Sequence, residues 1–155
     1  MKKFVNRVDH VQWICRIENL ERHIADLEAV TDAKFAYVDR SDVGCLIYID
    51  WSAGLEIIVP LAERSPFNQP LHDWLDTRGE GLFGIAFGVA NIENHTEKLQ
   101  ARGLKVGPML KNLPGAPWGE NVVIREKSVP SVINSNILIS QIDYADGIIL
   151  FEDSK

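Results

Sequence analysis

Two side chains of this 155-residue sequence have the type and the setting for proton chemistry. His10 lies in "RVDHVQWIC" and Glu56 in "GLEIIVP", each among residues that alternate or run apolar. An imidazole titrates near neutrality and a partly desolvated carboxylate is a stronger base, so the pair could remove a proton from a carbon beside a carbonyl. The same residues fit a plainer role. A strand histidine is commonly a hydrogen-bonded core residue, and a carboxylate in an apolar run needs a partner. Arg125 or Lys127, in "NVVIREK", could stabilise an enolate, although cations in a surface strand are more often solvated. Gln12 shares the strand face of His10, and Tyr48 points inward if its strand alternates regularly, which makes both candidate ligand contacts.

Positioning these groups falls to short strands and amphipathic helices. "RVDHVQWICRI" alternates as a strand does, and "NLERHIADLEAV" places Leu20, Ile24 and Leu27 on one helical face. "KFAYVD", "VGCLIYID" and "GLEIIVP" read as strands separated by turn signals at residues 40–42 and 52–54. After a linker holding Pro66 and Pro70, and a short helix around "LHDWLDTRG", the pattern restarts with "LFGIAFGV". The helix "IENHTEKLQARG", ended by Gly103, leads to the strands "NVVIREK", "NILISQID" and "GIILFED". The order β-α-β-β-β thus occurs twice, in modules of about 4–62 and 80–153 within one 155-residue domain.

Residues repeat with the elements. His10 corresponds to Gly84 at an offset of 84 − 10 = 74, "IEN" stands at both 17–19 and 92–94, and "IDWSAG" at 49–54 resembles "IDYADG" at 142–147. The expected fold class is α+β, two such modules packed as paired curved mixed sheets around a shared cleft.

Composition narrows the partners. A formal charge of −6 and a pI near 5.2 argue against binding a nucleic-acid backbone. Arg7, Asp9 and His10 interrupt any apolar N-terminal stretch, and the sequence contains no membrane-spanning run. Cys15 and Cys45 lack CxxC spacing and read as buried free thiols in a reducing cytoplasm. No phosphate loop or nucleophile elbow occurs. The segment "KNLPGAPWGEN" reads either as a lid latched by Trp118 or as a surface loop pinned by it.

The chain resembles the vicinal oxygen chelate superfamily, which includes glyoxalase, extradiol dioxygenases and bleomycin-resistance proteins, and most of all its methylmalonyl-CoA epimerase-like branch. The likeness rests on "VDHVQW" at 8–13, "LEIIVP" at 55–60 and the block from "SPFNQP" at 65 to "QARG" at 103. It implies four inward side chains around a divalent metal. These fall on His10, on Glu56, on Gly84 where many relatives carry histidine, and on the strand after Gly147. Family spacing puts the fourth at Phe151, whereas the internal repeat puts it at Ile149. Gly84 then marks a missing ligand, and the implied cofactor is either none or a weakly bound Zn, Ni, Co, Fe or Mn.

With Gly84 and either Phe151 or Ile149 in place of ligands, the implied cleft takes a small, partly apolar organic molecule. Gln12, Tyr48, Gly84, Trp118 and Phe151 are its candidate contacts, and His10 and Glu56 its chemical groups. The activity implied is that of a lyase or isomerase acting next to a carbonyl. The alternative is a non-enzymatic sequestering protein like the bleomycin-resistance members. A small-molecule ligand, a homodimer, no nucleic acid and no membrane complete the expectation.

Overall fold

The computed structural model describes residues 3–112 and 114–149. The chain forms two compact units, one of Val11–Phe83 and one that joins Met1–His10 to Gly84–Lys155. Strands β1 (Arg7–Ile14) and β5 (Gly81–Gly88) each contribute residues to both units. The fold class is α+β, with parallel and antiparallel strand pairing inside each unit.

In the unit Val11–Phe83, β1 leads through a short turn of helix into α1 (Leu20–Thr31), followed by β2 (Ala36–Arg40), β3 (Cys45–Asp50), β4 (Leu55–Pro60) and α2 (Gln69–Arg78). The strands run in the order β2-β3-β4-β1, with β4 parallel to β1 and the other neighbours antiparallel. Leu20, Ile24 and Leu27 of α1 pack with Cys15, Ile57, Val59 and Tyr48, as their helical spacing requires. Apolar burial at roughly 25 cal/mol per Å² is what ties this helix to its strands. Asp32 ends the helix in the left-handed region, at φ +56°, where its N–H caps the Glu28 carbonyl at 3.0 Å.

The second unit repeats that plan. β5 is followed by α3 (Ile92–Ala101), a two-residue strand β6 (Leu110–Lys111), β7 (Val122–Val132) and β8 (Ser135–Tyr144), ordered β5-β8-β7-β6. Asn91 caps α3 by accepting the Asn94 N–H at 2.9 Å, and Ile92 and Leu99 pack with Val89, Val129 and Ile139. Gly103 follows the helix at φ +78°, the left-handed position expected of it.

The repeat registers differently from the sequence expectation. β8 runs parallel to β5 and antiparallel to β7, just as β4 runs parallel to β1 and antiparallel to β3. The counterpart of β4 is therefore β8, and the short β6 takes the place of β2. "IDWSAG" and "IDYADG" do share a local form, a strand end followed by glycine at φ +67° and +85°. One precedes β4, the other follows β8. Gly147–Ile149, expected to open a final strand, form a turn and bend instead, because the parallel place beside β5 is filled by β8. Among the described residues no helix is long and apolar enough to cross a membrane.

Candidate functional site

His10 is buried in the unit it shares with Gly84–Lys155, 2% exposed, beside the equally buried Asp9. Its Nδ1 lies 3.0 Å from Asp9 Oδ1, and the Tyr144 hydroxyl donates to that same oxygen at 2.6 Å. A carboxylate only accepts, so the Nδ1 that faces Asp9 carries a proton, and Nε2 is the nitrogen turned toward Glu126. Glu126 Oε1 stands 3.9 Å from Nε2 and accepts the Ser140 hydroxyl at 2.6 Å. Glu126 and Ser140 are register partners on β7 and β8, and Ser140 is fully buried. A chain of polar groups thus runs Tyr144, Asp9, His10, Glu126, Ser140.

Strand parity explains why Glu126 faces this way. Val122, Ile124 and Glu126 occupy alternate positions of β7 and are all buried, while Arg125 and Lys127 point to the other face. Arg125 pairs with Asp143 at 3.5 Å and Lys127 with Glu93 of α3 at 3.2 Å, so neither cation of "NVVIREK" lies on the Glu126 face. Sequence reasoning singles out those cations and passes over Glu126, Asp9 and Tyr144. The carboxylate within the buried stripe Val122, Ile124, Glu126 is the signal that could have found the first of them.

In the unit Val11–Phe83, Gln12 and Glu56 are register partners across β1 and β4. Gln12 Nε2 donates to Glu56 Oε1 at 3.0 Å, and both side chains are buried. Tyr48 does not join them. It pairs with Ile57 in the register, one position off Glu56, and so packs on the α1 side with Leu20 and against the Tyr37 ring at 5.4 Å. Trp118 sits half-buried in a short helical turn, Pro117–Glu120, where its carbonyl accepts the Asn121 N–H at 3.1 Å.

Gly84 has a cause other than a vacated ligand. It is the register partner of Asn136, and a Cβ built on it would collide with the Asn136 carbonyl oxygen and lie 3.0 Å from the Asn136 Cβ. Any side chain at 84 meets backbone, so glycine is what lets β5 and β8 approach. Of the two fourth positions, Phe151 lies outside the described residues. Ile149 is buried in a bend and not on a strand.

The described residues do not by themselves make up a divalent-metal site. A catalytic zinc takes three protein ligands plus water, whereas the His10 neighbourhood offers one imidazole and one carboxylate oxygen already holding a hydroxyl. Among the described residues no three His, Cys, Asp or Glu side chains gather as a metal-binding group.

No protein-family model and no curated protein matches the sequence. Solved structures do match in fold. Methylmalonyl-CoA epimerase from Mycobacterium tuberculosis superimposes with a TM-score of 0.67 at 18% identity, over 91% of each chain. A variant of the Streptomyces coelicolor methylmalonyl-CoA epimerase, in complex with 2-nitronate-propionyl-CoA, gives 0.65 at 19%, covering 89% of this chain and 98% of that one. A methylmalonyl-CoA epimerase in complex with methylmalonyl-CoA and NH4+ gives 0.65 at 17%, covering 94% and 99%. The protein therefore has the vicinal oxygen chelate fold, in the form that methylmalonyl-CoA epimerases adopt.

Proposed function

We propose that this protein is an isomerase-type enzyme that moves a proton on a carbon beside the carbonyl of a small organic ligand. The observation that carries the reading is the buried His10, held at Nδ1 by Asp9 and facing Glu126 with Nε2, in a fold shared with epimerases. Nε2 accepts the proton from carbon, the electron pair moves onto the carbonyl oxygen as an enolate, and delivery of a proton to the opposite face of that carbon gives the isomer. No electron is gained or lost overall. Asp9 keeps the ring in the tautomer this needs, and Tyr144 keeps Asp9 in place. Glu56, oriented by Gln12, is a second proposed catalytic carboxylate within its own unit, and Trp118 and Phe151 remain proposed ligand contacts. CoA thioesters are the first substrate class to test, since the epimerases of this fold are seen with such ligands. A homodimer in the cytoplasm belongs to the same proposal, its compartment supported by two buried free cysteines.

The test is deuterium incorporation from D2O into methylmalonyl-CoA, followed by mass spectrometry. The wild type should exchange at least about 100-fold faster than His10→Gln, the usual scale of a lost general base. Equal rates would end the proton-transfer reading. A second reading is a sequestering protein without catalysis, whose cleft holds the ligand and moves no proton. Calorimetric binding of the thioester without exchange would select it.

A further inference from the structure

We infer that a hydrogen-bonded chain has replaced the divalent cation as the device that holds His10, and that β8 has closed the third ligand position for good. Three observations in the unit of Met1–His10 and Gly84–Lys155 carry this. First, the Asn136 carbonyl occupies the space into which a side chain at Gly84 would have to grow, so the position is shut by backbone and not merely lacking a donor. Second, the side of His10 away from Glu126 is anchored by two buried groups, Asp9 and Tyr144, which are 6% and 1% exposed. A ring held at Nδ1 in this way keeps its orientation whether or not an ion sits at Nε2. Third, the β8 side chains on the same face of the strand as Ser140 are Asn136, Leu138, Ile142 and Tyr144, none of them an acid. The carboxylate comes from β7, and its Oε1 is already engaged by the Ser140 hydroxyl.

The consequence is chemical. Without a Lewis acid beside His10, the substrates are limited to compounds whose α-proton is already acidic, such as thioesters and 1,3-dicarbonyls. The inference rests on the reading of His10 as the working residue, but its test needs no activity.

The experiment uses the full chain after chelator treatment. Calorimetric titration with Zn2+ and with Ni2+ compares the wild type, His10→Ala and Gly84→His, while heteronuclear NMR follows the ring nitrogens of His10. The wild type and His10→Ala should give the same isotherm, with no site at micromolar or tighter affinity that depends on His10. In NMR the wild-type ring should show a protonated Nδ1 that Zn2+ leaves unmoved, and Tyr144→Phe or Asp9→Asn should mix the tautomers. Gly84→His should melt lower and gain no metal. Should that variant fail to fold, the wild-type NMR still decides. A His10 Nε2 resonance shifted by micromolar Zn2+ and restored by chelator would overturn the inference. So would micromolar metal binding by Gly84→His that His10→Ala abolishes. Failure of the deuterium exchange would end the proposed activity and leave these outcomes standing.

Discussion

Tyr144 donates its hydroxyl to Asp9 at 2.6 Å, across 135 positions of the chain, and both side chains are buried. Removing one oxygen at residue 144 leaves Asp9 with one partner fewer in a place that water does not reach. Its second oxygen, Oδ2, already has no hydrogen-bond partner among the described residues. Tyr144→Phe should lower the unfolding free energy by about 1–3 kcal/mol, the usual cost of a buried hydrogen bond to a charged group. Urea denaturation checks this, and an unchanged midpoint would show that Asp9 does not depend on the hydroxyl.

Gln12 stands to Glu56 as Tyr144 stands to Asp9. Gln12→Leu keeps the volume and deletes the amide that donates at 3.0 Å. The variant should lose about 1–3 kcal/mol, because a buried carboxylate forfeits a donor. The double variant Gln12→Leu with Glu56→Leu should lose less than the sum of the two single losses, since the shared hydrogen bond is then counted once. A denaturation cycle of the four proteins measures the coupling.

Glu80 makes stability depend on acid. Burial opposes its ionisation, but the Arg16 backbone N–H at 2.7 Å, His23 at 3.0 Å and Asn19 at 3.1 Å outweigh it and hold the carboxyl down at about 2, against an ordinary 4.5. A depressed carboxyl contributes stability that is complete above its unfolded value and fades as pH falls toward its folded value. The contribution should therefore be present above about 4.5 and vanish between there and about 2. Thermal melts of the wild type and Glu80→Gln should converge over that window and lie furthest apart near neutrality.

Burial pushes both Cys15 and Cys45 up to about 12, with the negative charge of Glu80 adding to the first and of Glu56 to the second. At pH 8 only about one thiol in ten thousand is then ionised. A thiol-specific disulfide reagent should label the native protein very slowly and both cysteines at once on unfolding. Rapid labelling of native protein would show that one of them reaches solvent.

The helices and β1 to β5 are legible because each carries a period of its own: Leu20, Ile24 and Leu27 at helical spacing, and glycine or aspartate at the turns. β6 is not, since two residues hold no period. The His10 and Gln12 positions can be read from alternation, but the Tyr144 end of the histidine network cannot. Tyr144 and Asp9 are far apart in sequence, and a hydrogen bond across that distance leaves no local pattern. The misplaced last strand comes from a true likeness of turns, "IDWSAG" and "IDYADG", taken for a likeness of position. Gly84 misleads for a different reason. Its sequence context shows that a side chain is missing, while the reason it is missing is the carbonyl of Asn136, fifty-two residues later (136 − 84 = 52).

Residues 1–10 belong with the second half of the chain, and this has a consequence for inheritance. The two β-α-β-β-β halves look like copies, yet neither stretch of coding sequence specifies a whole unit. A chain divided after Phe83 would leave Asp9 and His10 on one fragment, and Tyr144, Glu126 and Ser140 on the other. The fragments would have to trade part of a strand before either possessed the histidine network. Neither fragment could therefore build the histidine network unless the other were made beside it.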